Sequence, residues 1–307
     1  MANVKIQGNA SGSGVLTITA PNTDATRTLT LPDSTGSIQT TDGSGASLTG
    51  IESYSPRGLI CSNDTDAAHD IAISVGGVKD ATNTVNMSLA AILTKRIDAA
   101  WAVGDNNGGL DGTESSGGTP DASTMYYIWL IKRSDTGVVD ALYSESATGP
   151  TLPTNYDYKR LIGAVCTDSS ANIIAFLQSG DYFRYMGDVI QDLNDNTITS
   201  ATFETATLSV PPSSIAHVYF EVINTTTSRS EMIGYLKTKG AADTATDPEA
   251  TAFFQTDEAA DSEAITVLVQ VLVDSSKQVE YAANENDGTA SVRIRPLGFT
   301  MLTRSNP

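Results

Sequence analysis

Cysteine, histidine and basic residues are all scarce in this chain, and each scarcity excludes something. Two cysteines in 307 residues cannot form a disulfide framework. Cys61 in GLICSN and Cys166 in GAVCTD lie in short apolar runs, which predicts buried free thiols. Two histidines, His69 and His217, have no Cys or His at ligand spacing, so no zinc site is expected. Eighteen Lys and Arg stand against thirty-six Asp and Glu, a net charge of -18. Without clustered cations the chain is not built to bind a phosphate backbone, and no nucleic acid partner is expected. The acidic excess is spread along the chain and reads as a self-repelling, soluble surface.

Long apolar runs are also missing. No stretch approaches the ~18–20 residues needed to span a bilayer. The N-terminus, MANVKIQGNASGSG, lacks the apolar core of a secretory signal, so synthesis in the cytoplasm without membrane insertion is expected. There is no G-x-x-x-x-G-K-S/T, no G-x-G-x-x-G between strand and helix, and no G-x-S-x-G elbow. No cofactor is expected. Asp66 and Asp70 flank His69, but no nucleophile motif accompanies them. Asp192 to Asn196 begins like a calcium loop, yet Thr197 and Phe203 stand where an EF-hand needs Gly and Glu, and no metal is assigned.

What is abundant is Thr, Ser, Ala, Gly, Asn and Asp between short apolar runs, the composition of a mostly β protein with many turns. Gly14 to Pro21 and Arg27 to Pro32 alternate with period two and predict two half-buried strands, with a third at Ser37 to Gln39. Leu16, Ile18, Leu29, Leu31 and Ile38 form one narrow apolar stripe. Two or three strands with one stripe are marginal in water and need a partner surface. Three copies about an axis supply one, making these five residues the expected trimer interface. The alternative is that the leader packs on its own downstream domain.

Residues 41–50 read as a linker. A β-rich domain is expected over 51–186 and a sandwich-like domain over 187–307, both antiparallel. In the first, Leu89, Ile92, Leu93, Ile97 and Ala100 fall near helical spacing between Asn86 and Ala100, with Asn86 or Ser88 as cap, predicting one amphipathic helix. Residues 103–124, rich in Gly, Asp, Asn and Ser, predict an exposed loop without strand or helix. Strands are expected at 126–132, 138–144, 160–167 and 173–178, the last two as a hairpin. In the second domain they are expected at 202–210, 217–223, 232–237, 264–273, 278–282, 291–294 and 298–302, with 264–273 and 278–282 again a hairpin. GAVCTDSSANIIAF and VQVLVDSSKQVEY share strand, Asp-Ser-Ser turn, strand, which fits either a duplicated domain or two generic hairpins.

The N-terminal element resembles a segment that recurs in bacteriophage tail-fibre and appendage proteins. There G-S/T-L-T-I-x-A-P-N precedes R-T-L-T-L-P-D-x-x-G, and here Gly14 to Asn22 and Arg27 to Gly36 stand in those places. The stretches from Tyr158 to Asp168 and from Phe176 to Phe183 are also similar to segments of phage virion proteins. The resemblance implies a non-enzymatic, homotrimeric virion protein, made in the host cytoplasm and located in the virion, attached through its N-terminus to other virion proteins. It implies an N-terminal β segment in an intertwined trimer followed by the two domains. A short tail fibre for host attachment, a capsid decoration or head fibre, and an adaptor all fit. A polysaccharide-degrading tailspike would need a placed carboxylate pair, and a carbohydrate-binding module would need exposed aromatic rings. For a host surface glycan the candidate binding residues are Tyr126, Trp129, Tyr156 and Tyr158, whose faces could stack on sugars; as aromatic residues of alternating strands they more often pack in a core or between subunits, and that is the favoured reading.

Overall fold

The computed structural model describes residues 56–111, 118–187, 190–198, 202–224, 230–241, 252–259, 263–285 and 290–302. The expected trimer stripe, Leu16, Ile18, Leu29, Leu31 and Ile38, lies outside them. The described residues belong to one compact unit, and nearly all their regular structure is strand.

In chain order the strands are β1 (Arg57–Gly58), β2 (Cys61–Asn63), β3 (Asp70–Ile73), β4 (Gly76–Lys79), β5 (Asn86–Leu89), β6 (Leu93–Ala100), β7 (Asn107–Leu110), β8 (Met125–Arg133), β9 (Val139–Ser144) and β10 (Tyr156–Cys166). They continue as β11 (Phe176–Ser179), β12 (Tyr182–Tyr185), β13 (Leu193–Ile198), β14 (Glu204–Thr207), β15 (Ile215–Asn224), β16 (Ser230–Thr238), β17 (Ala252–Ala259), β18 (Ala264–Leu272), β19 (Gln278–Glu285) and β20 (Ala290–Thr300). Four sheets result: β1-β4-β5; β10-β8-β9-β7-β6-β3-β2; β11-β12-β20-β15-β18, with β13 also on β20; and β14-β19-β16-β17.

The predicted helix at 86–100 is instead two strands, β5 and β6. Leu89, Leu93 and Ile97 are buried, and their spacing of four is even, so it satisfies a strand's period of two as well as a helical turn. Ile92, the residue that made the pattern helical, is 62% exposed in the turn between the strands. The loop expected at 103–124 contains β7, which pairs parallel with β6 and β9. Its glycines permit close approach: a Cβ on Gly108 would lie 2.1 Å from the Ala100 carbonyl oxygen, and one on Gly109 would lie 2.6 Å from the Tyr143 ring.

Both expected hairpins are also corrected. After β10 the chain makes a single bridge, Thr167 to Ile173, and β11 then pairs with β12. After β18, which pairs with β15, the chain crosses to the other sheet, where β19 pairs with β14 and β16. The expected boundary at 186/187 follows a hairpin, β11-β12, that is hydrogen-bonded to the distant strand β20.

Alternation sets which face is buried. Along β15, Ala216, Val218, Phe220 and Val222 are fully buried, while Tyr219 on the opposite face is 38% exposed. Glu221 lies on that outer face too, but it is covered by ion pairs to Arg293 (3.1 Å) and Arg295. One continuous apolar core runs from Leu59 to Met301.

Candidate functional site

Two turns built on the Asp-Ser-Ser sequence have the same geometry. At the first, the Asp168 carboxylate accepts from the amides of Ser170 (2.8 Å) and Asn172 (2.9 Å), the Asp168 amide donates to the Asn172 carbonyl (2.8 Å), and Ala171 has φ 64°. At the second, Asp274 accepts from Ser276 (2.8 Å) and Gln278 (2.7 Å), its amide donates to the Gln278 carbonyl (3.2 Å), and Lys277 has φ 64°. A short carboxylate that bonds its own backbone fixes such a turn without glycine.

The match extends to the neighbouring strand. The amides of Ser123 and Ser213, each at φ 52°, donate to the carbonyls of Asp168 (2.8 Å) and Asp274 (3.1 Å). The strand before each turn then pairs antiparallel with the strand after that serine, β10 with β8 and β18 with β15. The echo in the sequence is thus a shared local structure, and it stops at the turn, where β11 and β19 join different sheets.

The first turn borders a cavity of about 610 Å³ lined by Ser123, Asp168, Ile174, Gln191, Asp192 and Ser209, among others. Asp192 is held by Ser209, whose amide (2.5 Å) and hydroxyl (2.7 Å) both donate to it. Burial raises the Asp192 pKa above the usual carboxylate value, against the lowering effect of the Ser209 hydrogen bonds. At Asp168 burial acts in the same direction, but the amides of Asn172 and Ser170 outweigh it and the pKa is lowered. Cys166 on the cavity wall is buried, and burial pushes its thiol up to about 12, so it is protonated at neutral pH. The oxygens of both carboxylates are engaged by the protein itself. What the cavity offers a ligand is hydroxyl, amide and apolar surface, suited to a small neutral polar molecule.

Asp192 carries a testable pH signature. Its folded pKa is raised above that of the unfolded chain, so the folded state binds more protons in the window between them. Stability therefore falls as pH rises from about 4 through the folded pKa. In chemical denaturation at several pH values, Asp192→Asn should gain on the parent chain across that window and then level off; a pH-independent difference would refute the assignment.

The sugar-stacking candidates are placed elsewhere. Tyr126, Trp129 and Tyr156 are 0%, 4% and 3% exposed, and Tyr158 is partly buried against the core. Tyr126 donates to Glu145 (3.2 Å), Trp129 donates from its indole to the Ser146 carbonyl (3.2 Å), and Tyr156 packs edge-on to Trp101 at 5.2 Å. β8 is covered on both faces, so its aromatic residues pack inward from either side, and these four residues form no exposed stacking surface.

His69 pairs with Asp66 at 2.9 Å on an exposed turn, and His217 meets the Thr300 hydroxyl at 2.9 Å. Among the described residues no three His, Cys, Asp or Glu side chains group as a metal site, and no helix is long and apolar enough to cross a membrane. The cavity went unseen in the sequence because its walls come from segments as far apart as Ser123 and Ser209. The signals near it were the first Asp-Ser-Ser turn and the calcium-loop-like start at Asp192, and neither pointed to a cavity.

No family model matches this chain, and no curated protein matches it. Among solved structures, a chain of the T13 IBDV viral particle aligns over 80% of this chain and 68% of its own length, at 11% identity and a TM-score of 0.18. At that score the likeness carries no argument about fold or role.

Proposed function

We propose that this protein is a structural component of a bacteriophage virion, a short trimeric tail fibre or appendage engaged in host attachment. The observation that carries the reading is the ordered run of Gly14 to Asn22 and Arg27 to Gly36, which resembles the attachment element of such proteins. The nearly all-β body, four sheets among the described residues, supports it. In this reading the N-terminal stripe of Leu16, Ile18, Leu29, Leu31 and Ile38 is shared among three chains, and the body faces outward. Decoration of the head and a role as adaptor belong to the same class, and imaging of particles with and without the protein separates them.

The test is mass. Sedimentation of the purified chain at micromolar concentration should give a multiple of three chains, and deletion of residues 1–50 should abolish the threefold mass. A stable full-length monomer would overturn the proposal.

A further inference from the structure

The two Asp-Ser-Ser turns share more than a backbone, because each stands at the wall of a cavity. Ser123 and Ser169 line the cavity of about 610 Å³ at the first turn, and Ser213 and Ser275 line one of about 180 Å³ at the second. These positions correspond one to one: Ser169 and Ser275 directly follow the turn aspartates, and the amides of Ser123 and Ser213 donate to those aspartates' carbonyls. Backbone amides and the aspartate carboxylates hold both turns, so the four serine side chains are not needed for the fold. Among the described residues, none of the four hydroxyls makes a hydrogen bond. The same device thus places a pair of uncommitted serines at a cavity twice in one chain.

The rest of the lining sets the chemistry of the occupant. The first cavity adds the Gln191 side-chain amide, also without a hydrogen bond among the described residues, and the apolar side chains of Ile173, Ile174 and Ile190. The second adds Tyr127, Leu161, Pro211 and Pro212. No Lys or Arg lines either cavity, so an anion finds no counter-charge. The carboxylates at the first, Asp168 and Asp192, are taken up by Ser170, Asn172 and Ser209, and none lines the second, so a cation finds no free carboxylate oxygen. Hydroxyl and primary amide groups both donate and accept. Their match is a molecule whose own groups do both, with C–H surface between them, which describes an uncharged sugar. The first cavity falls within the roughly 300–1,000 Å³ of ligand pockets and the second below it, which makes the first the main site.

We propose that the first Asp-Ser-Ser turn and its partner serine form a binding site for a neutral saccharide, held by Ser123, Ser169 and Gln191 against the isoleucine side chains, and that the second turn repeats the site in smaller form. A sugar ring lays its C–H face on the apolar wall while its hydroxyls exchange hydrogen bonds with the serines. The site stands apart from the attachment reading: loss of sugar binding would leave the threefold mass unchanged, and a monomer would still bind sugar.

Saturation-transfer NMR and titration calorimetry on the full-length chain test the site. The probes are the methyl glycosides of glucose, galactose and mannose, and N-acetylglucosamine, with galacturonate and glucosamine as charged counterparts. At least one neutral sugar should bind, and the charged counterparts should bind more weakly. Ser169→Ala keeps the backbone bonds of the turn and should weaken binding about fivefold, the worth of one neutral hydrogen bond. Ser170→Ala, whose side chain is not part of the lining, should bind like the parent. Ser169→Trp should occupy the cavity and abolish the main site, and the weak remainder should vanish when Ser275→Trp is added. Absence of binding by every neutral sugar, with water as the only occupant, would overturn the proposal. So would stronger binding of a charged counterpart, unchanged binding in both Ser169 variants, or binding that survives Ser169→Trp with Ser275→Trp.

Discussion

Asp140→Ala should cost about 3–5 kcal/mol of stability, the usual penalty for stranding a buried charge. Lys95 and Asp140 are 0% and 1% exposed and lie 3.3 Å apart. The Lys95 ammonium also donates to the carbonyls of Ala102 (2.6 Å) and Gly104 (3.2 Å) and sits 5.5 Å from the centre of the Trp101 ring. Asp140 in turn accepts from the amides of Gly104 and Ala141, each at 2.7 Å. The pair therefore fixes the path from Trp101 to Asn107, the connection between β6 and β7. Burial depresses the Lys95 pKa, and Asp140 opposes that; without the carboxylate the depression deepens.

A depressed lysine leaves the unfolded chain holding more protons than the folded one below about pH 10.4, so stability rises with pH through that window. Asp140→Ala should accordingly recover part of its loss as the pH approaches 10. The double variant Lys95→Met, Asp140→Leu should be closer to the parent than Asp140→Ala, because it removes both charges. Urea denaturation of the three proteins at pH 7 and near pH 10 decides the matter. A loss below about 1 kcal/mol, as for an exposed ion pair, would show that water reaches the lysine.

Gly298→Ala should be comparably damaging, at about 2–5 kcal/mol. Gly298 has φ 152°, and a Cβ there would lie 2.1 Å from the Phe183 carbonyl oxygen and 2.9 Å from the Arg184 Cα. Both are backbone atoms of β12, so no side chain can swing aside. Relief requires β12 to part from β20, breaking the pairs Phe183–Phe299 and Arg184–Gly298 and the stacked Phe183 and Phe299 rings, 5.0 Å apart. Gly240→Ala is the control: it also has positive φ, 78°, but nothing lies within 4 Å of its would-be Cβ. It should lose only about 1–2 kcal/mol, the cost of a left-handed conformation for a residue with a Cβ. Equal losses at the two sites would mean that backbone conformation alone, and not the close approach of β12, sets the requirement for glycine.

The strands that read most clearly in the sequence were those whose alternation or aromatic content needs no knowledge of neighbours, such as β8, β15 and β18. Where two periods coincide, pattern alone misleads: the even spacing of Leu89, Leu93 and Ile97 fits helix and strand equally. β7 was invisible for the opposite reason. It is made of residues that score as loop, and only the proximity of the Ala99–Ala100 backbone and the Tyr143 ring explains why they are glycines. Pairing was harder than element type. Nothing near Asp274 signals that β19 leaves the sheet of β18, since the same turn at Asp168 sends its chain elsewhere. Of the cavity, the Asp-Ser-Ser turn was legible as a turn, but the Asp192 to Ser209 contact that closes it joins two stretches seventeen positions apart with no local pattern.

β20 is the last strand reached along the chain, and it bonds to β12, β13 and β15 together. On the ribosome, the seven-stranded sheet has all its members once Cys166 has emerged, whereas the β11-β12 hairpin and β13 must wait for their shared partner until β20, which begins at Ala290. A lone hairpin is marginal in water, so this half of the molecule closes only after residue 300 clears the exit tunnel. Until then the apolar faces of β12 and β15 stay open, and the newborn chain is most exposed to misassembly with its neighbours during that interval.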